Sequence, residues 1–505
     1  MEHRRPAERV VQGLTLNLYT HVLENRLRQG RGGNPAVHAD GESRTYRALD
    51  ARACSWAARF HADGVVPGQR VLIALPDGVE LVAAFFGALR LGAVAALASP
   101  LVPDGQLRRL ADYIDASAAV VPASRLVECR GAGKGLHPIT ADSVQAATSA
   151  IPPVHLPVPG DDAVWQFTSG SSGETKAVRH SHDAFIRAAE AYGQGILRLG
   201  PGDVTVAAPK LHFGYAMGAN LLFPLSVGAS VILFEERATA AVLATQVRRH
   251  QATVLVTTPA MIRQMATGDP AVAEALVSLR VATSAGEALP ATLHQRWRER
   301  IGVELVDGLG MTEMCHIVVS HQIGDAEAGS VGRPVPGYGV RLCDADGHDV
   351  PEGEPGELWV RGPSRALGYW QRPEAEARVF RGEWCVPGDM LRQQADGRYE
   401  FCGRTDDMLK VNGQWVAPRA VEECLLRHPQ VRDAAVIGVQ DDDGLVRPHA
   451  LVVADRLSGS LTGELQALVR EHLAPHAHPR GVTYVDSLPR TPQGKRDRAA
   501  LRSLV

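Results

Sequence analysis

The feature that most restricts how this chain can fold is a repeated alternation of short apolar runs with helical repeats. RTYRALDARACSWAARFHADG carries apolar residues at helical spacing and stops at Gly64. VLIALPDG follows as a short buried strand, VELVAAFFGALRLG as a helix and AVAALA as the next strand. Further on, HDAFIRAAEAYGQGI reads as helix, DVTVAAP as strand, NLLFPLSVG as helix and SVILFE as strand. A helix near 238–250, the strand TVLVTTP, another helix and the strand LRVATSAGE continue the series. Strands apolar along their whole length, interleaved with helices, predict mostly parallel sheets with both faces covered. The pattern changes near residue 325, where GSVGRPVPGYGVRLCDADGHDVPEGEPGELWVRGP breaks into short β runs separated by Gly, Pro and Asp-Gly turns. A second change falls at GRTDDMLKVNG (403–413), after which AVEECLLRH and ELQALVREHL read as helices and AAVIGVQ and RPHALVVA as strands.

The expected fold is therefore α/β. A large N-terminal domain, 1–404, holds two mostly parallel sheets flanked by helices, with a small β-barrel subdomain at about 325–404. A small, mobile α+β C-terminal domain covers 405–505, joined by a charged, glycine-bearing hinge suited to domain rotation. At 505 residues the chain exceeds what one core organises.

Within the alternation, one stretch is built from hydroxyls and glycine: FTSGSSGETKAVRHSH, residues 167–182. Serine and threonine hydroxyls, backbone N–H groups and one lysine can wrap a polyphosphate. The common nucleotide loop is excluded, because Thr175 stands where the second glycine of that pattern belongs. Lysine is scarce: of 53 basic residues only Lys134, Lys176, Lys210, Lys410 and Lys495 are lysine. A compact point charge on a flexible stem is what arginine cannot supply, and four of the five lie in glycine-rich or aromatic contexts that suit a site. The net charge of −3 argues against nucleic acid or an acidic membrane surface as the main partner. The first residues lack an apolar secretory segment, and VAAFFGALRLGAVAALASP is broken by Arg90 and glycines, so no membrane span is expected. Seven dispersed cysteines without a CxxC pair suggest reduced thiols and a cytoplasmic enzyme; a monomer or homodimer is expected.

TSGSSGETK alone could be a flexible Gly/Ser loop. Four further stretches accompany it in order: SAGEALP (284–290), DGLGMTEM (307–314), PGDM with GRTDDMLKVNG (387–390, 403–413) and LPRTPQGKRDR (488–498). Together they resemble the adenylate-forming superfamily of acyl- and aryl-CoA synthetases, luciferases and peptide-synthetase adenylation domains, over nearly the whole chain. The resemblance implies ATP cleavage at the α-phosphate, giving acyl-AMP and pyrophosphate before a thiol takes the acyl group. It implies that Thr168, Ser169, Gly170, Ser171, Ser172, Gly173 and Lys176 hold the leaving phosphates. Gly286, Glu287 and Ala288 would form an adenine wall, with Asp307 and Gly308 at its edge. Thr312 would touch the α-phosphate and Glu313 would hold Mg²⁺. Asp389 would bind the ribose hydroxyls, helped by Arg404. Lys495 would neutralise charge where carboxylate meets α-phosphate. Asp406 would be the hinge that exchanges Lys495 for a thiol-binding face around Lys410–Gly413.

PKLHFGYAMGAN (209–220) and MCHIVV resemble the benzoate-CoA ligase branch, as do NLYTHVLENRLRQGRGGNPAV and GRTDDMLKVNGQWVAP. The implied aryl slot is lined by Phe213, Gly214, Tyr215, Gly310, His316 and Ile317, with Lys410 near the substrate carboxylate. Gly214 stands where that branch tends to carry alanine and His212 replaces an aromatic, so space for a substituted ring is expected. The first reading is an aryl-CoA ligase using ATP, Mg²⁺ and coenzyme A on benzoate or a substituted benzoate. The alternative keeps the adenylation and loads the phosphopantetheine thiol of a separate carrier protein. A non-enzymatic nucleotide-binding relative would show damage at Lys495, Glu313 or Asp389, and all three residues are intact.

Overall fold

The computed structural model describes residues 16–39, 41–103, 105–129, 136–146, 151–169, 175–405, 408–411, 414–440, 446–473, 475–490 and 496–505. The apolar runs become two large sheets. In the first, the strands Pro35–Ala39, Ser230–Ile232, Val204–Ala207, Val254–Thr257, Val281–Ser284 and Leu305–Gly310 pair in parallel in that spatial order. Antiparallel strands extend both edges, Glu42–Thr45 at one and Ile317–Ser320 with Arg333–Pro334 at the other, to a total of nine. In the second, Asp162–Ser169, Val94–Leu97, Arg70–Ile73, Ala116–Val120 and His137–Ile139 are parallel. The antiparallel strands Thr175–Ser181 and Gly368–Tyr369 complete its seven.

Double-sided burial explains the unbroken apolar runs. Alternate residues of a strand face opposite sides. Val254 enters the core shared by both sheets, and Leu255 enters the layer behind it, among Leu243, Ile262 and Trp297. In the second sheet Val71 and Ile73 face the shared core, and Leu72 faces the opposite layer with Val94 and Trp165. Helices Tyr46–Ala62 and Val79–Leu91 fill the shared core with Trp56, Phe60, Phe85 and Phe86. Side-chain caps start several helices: Thr45 accepts from the Ala48 N–H, Ser181 from Ala184 and Thr239 from Val242.

The β-rich segment is antiparallel, as its turn chemistry predicts, with Pro355–Arg361 flanked by Gly339–Cys343, Asp389–Gln393 and Trp384–Cys385. It does not keep to itself. Its pieces Arg333–Pro334 and Gly368–Tyr369 close the edges of the two large sheets and tie the three sheets together. The small C-terminal domain folds around Val431–Gln440, Val446–Ala454 and Gly481–Tyr484, covered by helices Pro418–Leu425 and Leu461–His472. It touches the large body through Arg419 donating to the Leu289 carbonyl at 3.2 Å and Arg490 facing Glu287 at 3.4 Å. All seven cysteines are buried thiols. Among the described residues no helix is long and apolar enough to cross a membrane.

Candidate active site

The parallel strands of the nine-stranded sheet end together. Their register sets Thr257 beside Ser284 and Ser284 beside Asp307. All three are buried, and Thr257 Oγ1, Ser284 Oγ and Asp307 Oδ1 lack a hydrogen-bond partner among the described residues. Buried polar atoms are nearly always paired, so a row of three unpaired ones marks a place where a ligand completes the bonding. Its position fits, since ligands of open α/β sheets bind beyond the carboxyl ends of the strands. Burial pushes the Asp307 carboxyl up to about 7. Of this row only Asp307 was legible in the sequence. Gly286, Glu287 and Ala288 follow Ser284 directly, with Gly286 at φ +90° and Glu287 facing Arg490.

The acidic motif is held by a long-range clamp. Thr312–Met314 forms one tight turn, and Cys315 reverses the chain at φ +68°, a conformation seldom adopted by a residue with a side chain. The Glu313 carbonyl accepts from the Ala366 N–H at 2.9 Å, and the Met314 carbonyl from Ser364 Oγ at 2.6 Å. The Tyr369 hydroxyl donates to Glu313 Oε1 at 2.5 Å. Burial first, then the Glu313 charge, push that hydroxyl well above the usual tyrosine range, so it stays a donor. On the other side of the Tyr369 ring lies the Lys176 ammonium, 5.0 Å from the centroid. Lys176 pairs in register with Thr168 across the hairpin that carries the glycine-serine loop. The structure thus brings Thr168, Lys176 and Glu313 to one mouth, with Tyr369, absent from the sequence reading, between them. Gly170, Ser171, Ser172, Gly173, Asp406 and Lys495 lie outside the described residues, and Ser169 and Lys410 are placed by backbone alone.

Asp389 is buried, pairs in register with Arg404, and accepts from its guanidinium at 3.0 Å. The Arg490–Glu287 contact brings Arg490 of the small domain against the expected adenine wall. Arg490 also faces Asp433 of its own domain at 3.5 Å.

The residues expected to line the aryl slot pack together next to this row. His316 is buried and packed among Tyr192, Tyr215 and Phe223, with ring centroids at 5.0, 5.5 and 4.6 Å. Its Nε2 donates to the Tyr215 carbonyl at 3.0 Å, and burial lowers its pKa to about 4, so the ring is neutral. The Tyr215 hydroxyl donates to Thr283 Oγ1 at 3.1 Å, and Thr283 shares a second short bond with Tyr192. Thr283 immediately precedes Ser284, so the aromatic wall is anchored to the orphaned polar row. Gly310 pairs in register with Ile317. A Cβ on Gly310 would lie 2.8 Å from the Ile317 Cδ1, which is why glycine stands there. Phe213 is half-buried against His212 at 4.7 Å and starts the turn that carries Gly214 and Tyr215.

At Gly214 the structure corrects the sequence reading. The missing methyl does not leave open space. A Cβ at that position would lie 2.7 Å from Gln166 Oε1, 2.8 Å from Nε2 and 2.9 Å from Cδ. The Gln166 carboxamide has taken that volume. Gln166 carries no motif signature, and only the tertiary contact identifies it.

A family model for AMP-binding enzymes matches residues 23–370, and one for the C-terminal domain of these enzymes matches 420–495. The chain is 38% identical to a benzoate–CoA ligase of Thauera aromatica, over 96% of each chain. It is 35% identical to a 3-hydroxybenzoate–CoA ligase of Aromatoleum sp. (strain CIB), over 97% of each. The crystal structure of the anthranilate CoA ligase AuaEII with anthranoyl-AMP superposes with a TM-score of 0.90 at 33% identity, covering 97% of each chain. With both of its parts matched and full-length relatives above 30% identity, this chain belongs to the AMP-binding enzyme family.

Proposed function

We propose that this protein is an AMP-forming aryl-CoA ligase acting on benzoate or a substituted benzoate. The observation that carries the reading is the aromatic wall of Tyr215 and His316 anchored through Thr283 to the unpaired row Thr257–Ser284–Asp307. An aromatic wall thereby stands next to a row of polar groups at the strand ends, the pairing of surfaces that an aryl group joined to a nucleotide requires. The named relatives act on benzoate and 3-hydroxybenzoate, and a similar structure holds anthranoyl-AMP.

In the first half-reaction a carboxylate oxygen of the aryl acid attacks the α-phosphorus of ATP. The bond to the β-phosphate breaks, giving aryl-AMP and pyrophosphate. Thr168, Lys176 and the glycine-serine loop (169–173) hold the leaving phosphates. Thr312 orients the α-phosphate, and Gly286, Glu287, Ala288, Asp307 and Gly308 frame the adenine. Asp389, steadied by Arg404, receives the ribose hydroxyls. The residues fit Mg²⁺: Glu313 is a half-buried carboxylate linked through Tyr369 to Lys176 and Thr168, a hard oxygen donor that would hold the ion. The ion would neutralise phosphate charge there. Lys495 supplies positive charge to the same α-phosphate. The small domain then turns about Asp406, Lys495 leaves, and the face around Lys410 admits the thiol. The thiol of coenzyme A loses its proton as sulfur attacks the acyl carbon, the bond to AMP breaks, and aryl-CoA and AMP are released.

The test is carboxylate-dependent ATP–pyrophosphate exchange with benzoate, hydroxy- and aminobenzoates, cinnamate and a medium-chain fatty acid, followed by thioester formation with coenzyme A or a carrier protein. Exchange restricted to aryl acids and a thioester with coenzyme A support the reading. Exchange confined to the fatty acid, or a thioester formed only on the carrier, overturns it.

A further inference from the structure

Gln166 is a polar side chain beside the expected aryl wall that is buried and, among the described residues, unpaired, and phosphate or adenine binding does not explain it. Strand alternation places Val164, Gln166 and Thr168 on one face of Asp162–Ser169. Val164 packs into the shared core and Thr168 stands at the base of the phosphate loop, so Gln166 lies one step inward from it. Its cross-strand neighbours are Leu97 and Val178, neither of which offers a side-chain polar group. Gln166 is only 2% exposed, and neither Oε1 nor Nε2 has a partner among the described residues. A buried amide in that state weakens a fold, and an apolar side chain of similar volume would serve packing better. Its contact explains its presence. The amide sits against the bare Cα of Gly214, the glycine beside Tyr215 in the aryl wall, in volume that any side chain at 214 would claim.

We propose that Gln166 determines ring specificity, its carboxamide hydrogen-bonding a hydroxyl or amino substituent of the aryl acid. The proposal rests on the aryl-acid reading above and narrows it. The amide presents one acceptor and one donor group, whichever way round it is placed. A substrate carboxylate brings acceptors alone and leaves the amide oxygen unpaired. A ring hydroxyl both donates and accepts, and a ring amine donates. With its carboxylate engaged at the α-phosphate, unsubstituted benzoate turns only ring C–H bonds to the amide and leaves both groups unpaired, so the site discriminates against it. Gly214 belongs to the same device, since it keeps the place free for the amide.

The experiment measures kcat/KM for exchange with benzoate and with the 2-, 3- and 4-hydroxy and amino derivatives, in wild type and in Gln166→Leu and Gln166→Met. In the wild type at least one hydroxy or amino acid is expected to exceed benzoate by about tenfold or more, since a site built around a hydrogen bond rejects an analogue that lacks it. In Gln166→Leu that advantage is expected to collapse while benzoate is unchanged or improved and the KM for ATP stays at its wild-type value. The melting temperature is expected not to fall, because an unpaired amide has been replaced by an apolar isostere. A wild type that prefers benzoate to all six derivatives overturns the assignment and needs no variant to do so. Equal loss on every acid in both variants also overturns it, by making Gln166 a packing residue. Exchange with no aryl acid at all removes the aryl-acid reading itself, and this assignment with it.

Discussion

Removing the Tyr369 hydroxyl is the sharpest test of how the acidic motif is held. That oxygen donates to Glu313 Oε1 at 2.5 Å from a ring that is itself buried. A hydrogen bond to a charged group contributes about 1.5–3 kcal/mol, or roughly a tenfold to hundredfold change in rate where the bond acts in the transition state. Tyr369→Phe isolates this bond. The ring still lies under the Lys176 ammonium at 5.0 Å and against Phe380 at 5.3 Å, and the backbone pairing of Tyr369 with Val178 is untouched. If Glu313 acts on the phosphates, orienting it matters to the chemical step. Tyr369→Phe should then lower kcat/KM for ATP in pyrophosphate exchange by about 10- to 100-fold, leaving the KM for the aryl acid nearly constant. Tyr369→Leu, which also removes the ring platform, should cost a further few-fold, as expected of a cation–π contact. The assay is exchange at saturating aryl acid with ATP varied, on protein whose melting temperature is checked. Wild-type exchange kinetics in a correctly folded Tyr369→Phe would refute the reasoning and reduce the bond to a packing detail.

Three other outcomes are expected. Lys495→Ala should lower aryl-AMP formation by about a hundredfold or more while sparing thioester formation from preformed adenylate; single-turnover assays of each half show it, and equal loss in both halves would remove the domain-alternation role. Gly214→Ala forces a methyl to within 2.7–2.9 Å of the Gln166 amide. It should cost about 1–3 kcal/mol of stability and erode any preference for hydroxy- or aminobenzoate over benzoate; an unchanged preference order would take the pair out of the slot. Asp307 has its carboxyl raised to about 7 in the folded protein, so the native state keeps a proton that the unfolded chain releases above about pH 4. Its contribution favours folding below pH 4 and is lost as the pH rises towards 7, by on the order of 4 kcal/mol. Asp307→Asn should flatten that fall in denaturation experiments across the window, and parallel wild-type and variant curves would contradict the assignment.

Both the parallel sheets and the α+β C-terminal body were readable because period and continuity of apolar residues are local properties. Val254, Leu255 and Val256 are apolar in succession because each side of their strand meets a different core, and sequence carries that signal directly. The Thr312–Glu313 turn and the buried Asp389 stand in short runs of consecutive residues, which is why the sequence could single them out. The β-rich segment was less so. Its composition announced turns, but nothing local told that Gly368–Tyr369 would leave its neighbours to pair with Thr175–Ser181.

What sequence alone determined, then, is the alternation of elements and the ordered motifs that bring the chain into its family. Tertiary structure decided which of the remaining polar groups are deprived of water and what they face. Tyr369 reaches Glu313 across 56 residues of chain, and Gln166 meets Gly214 from a strand of the other sheet. Thr257, Ser284 and Asp307 become neighbours only through the register of three parallel strands. Desolvation depends on everything packed around an atom, and those atoms come from distant parts of the chain. A glutamine read in sequence is one of many; only the fold shows that this one is buried beside a bare glycine with no partner among the described residues.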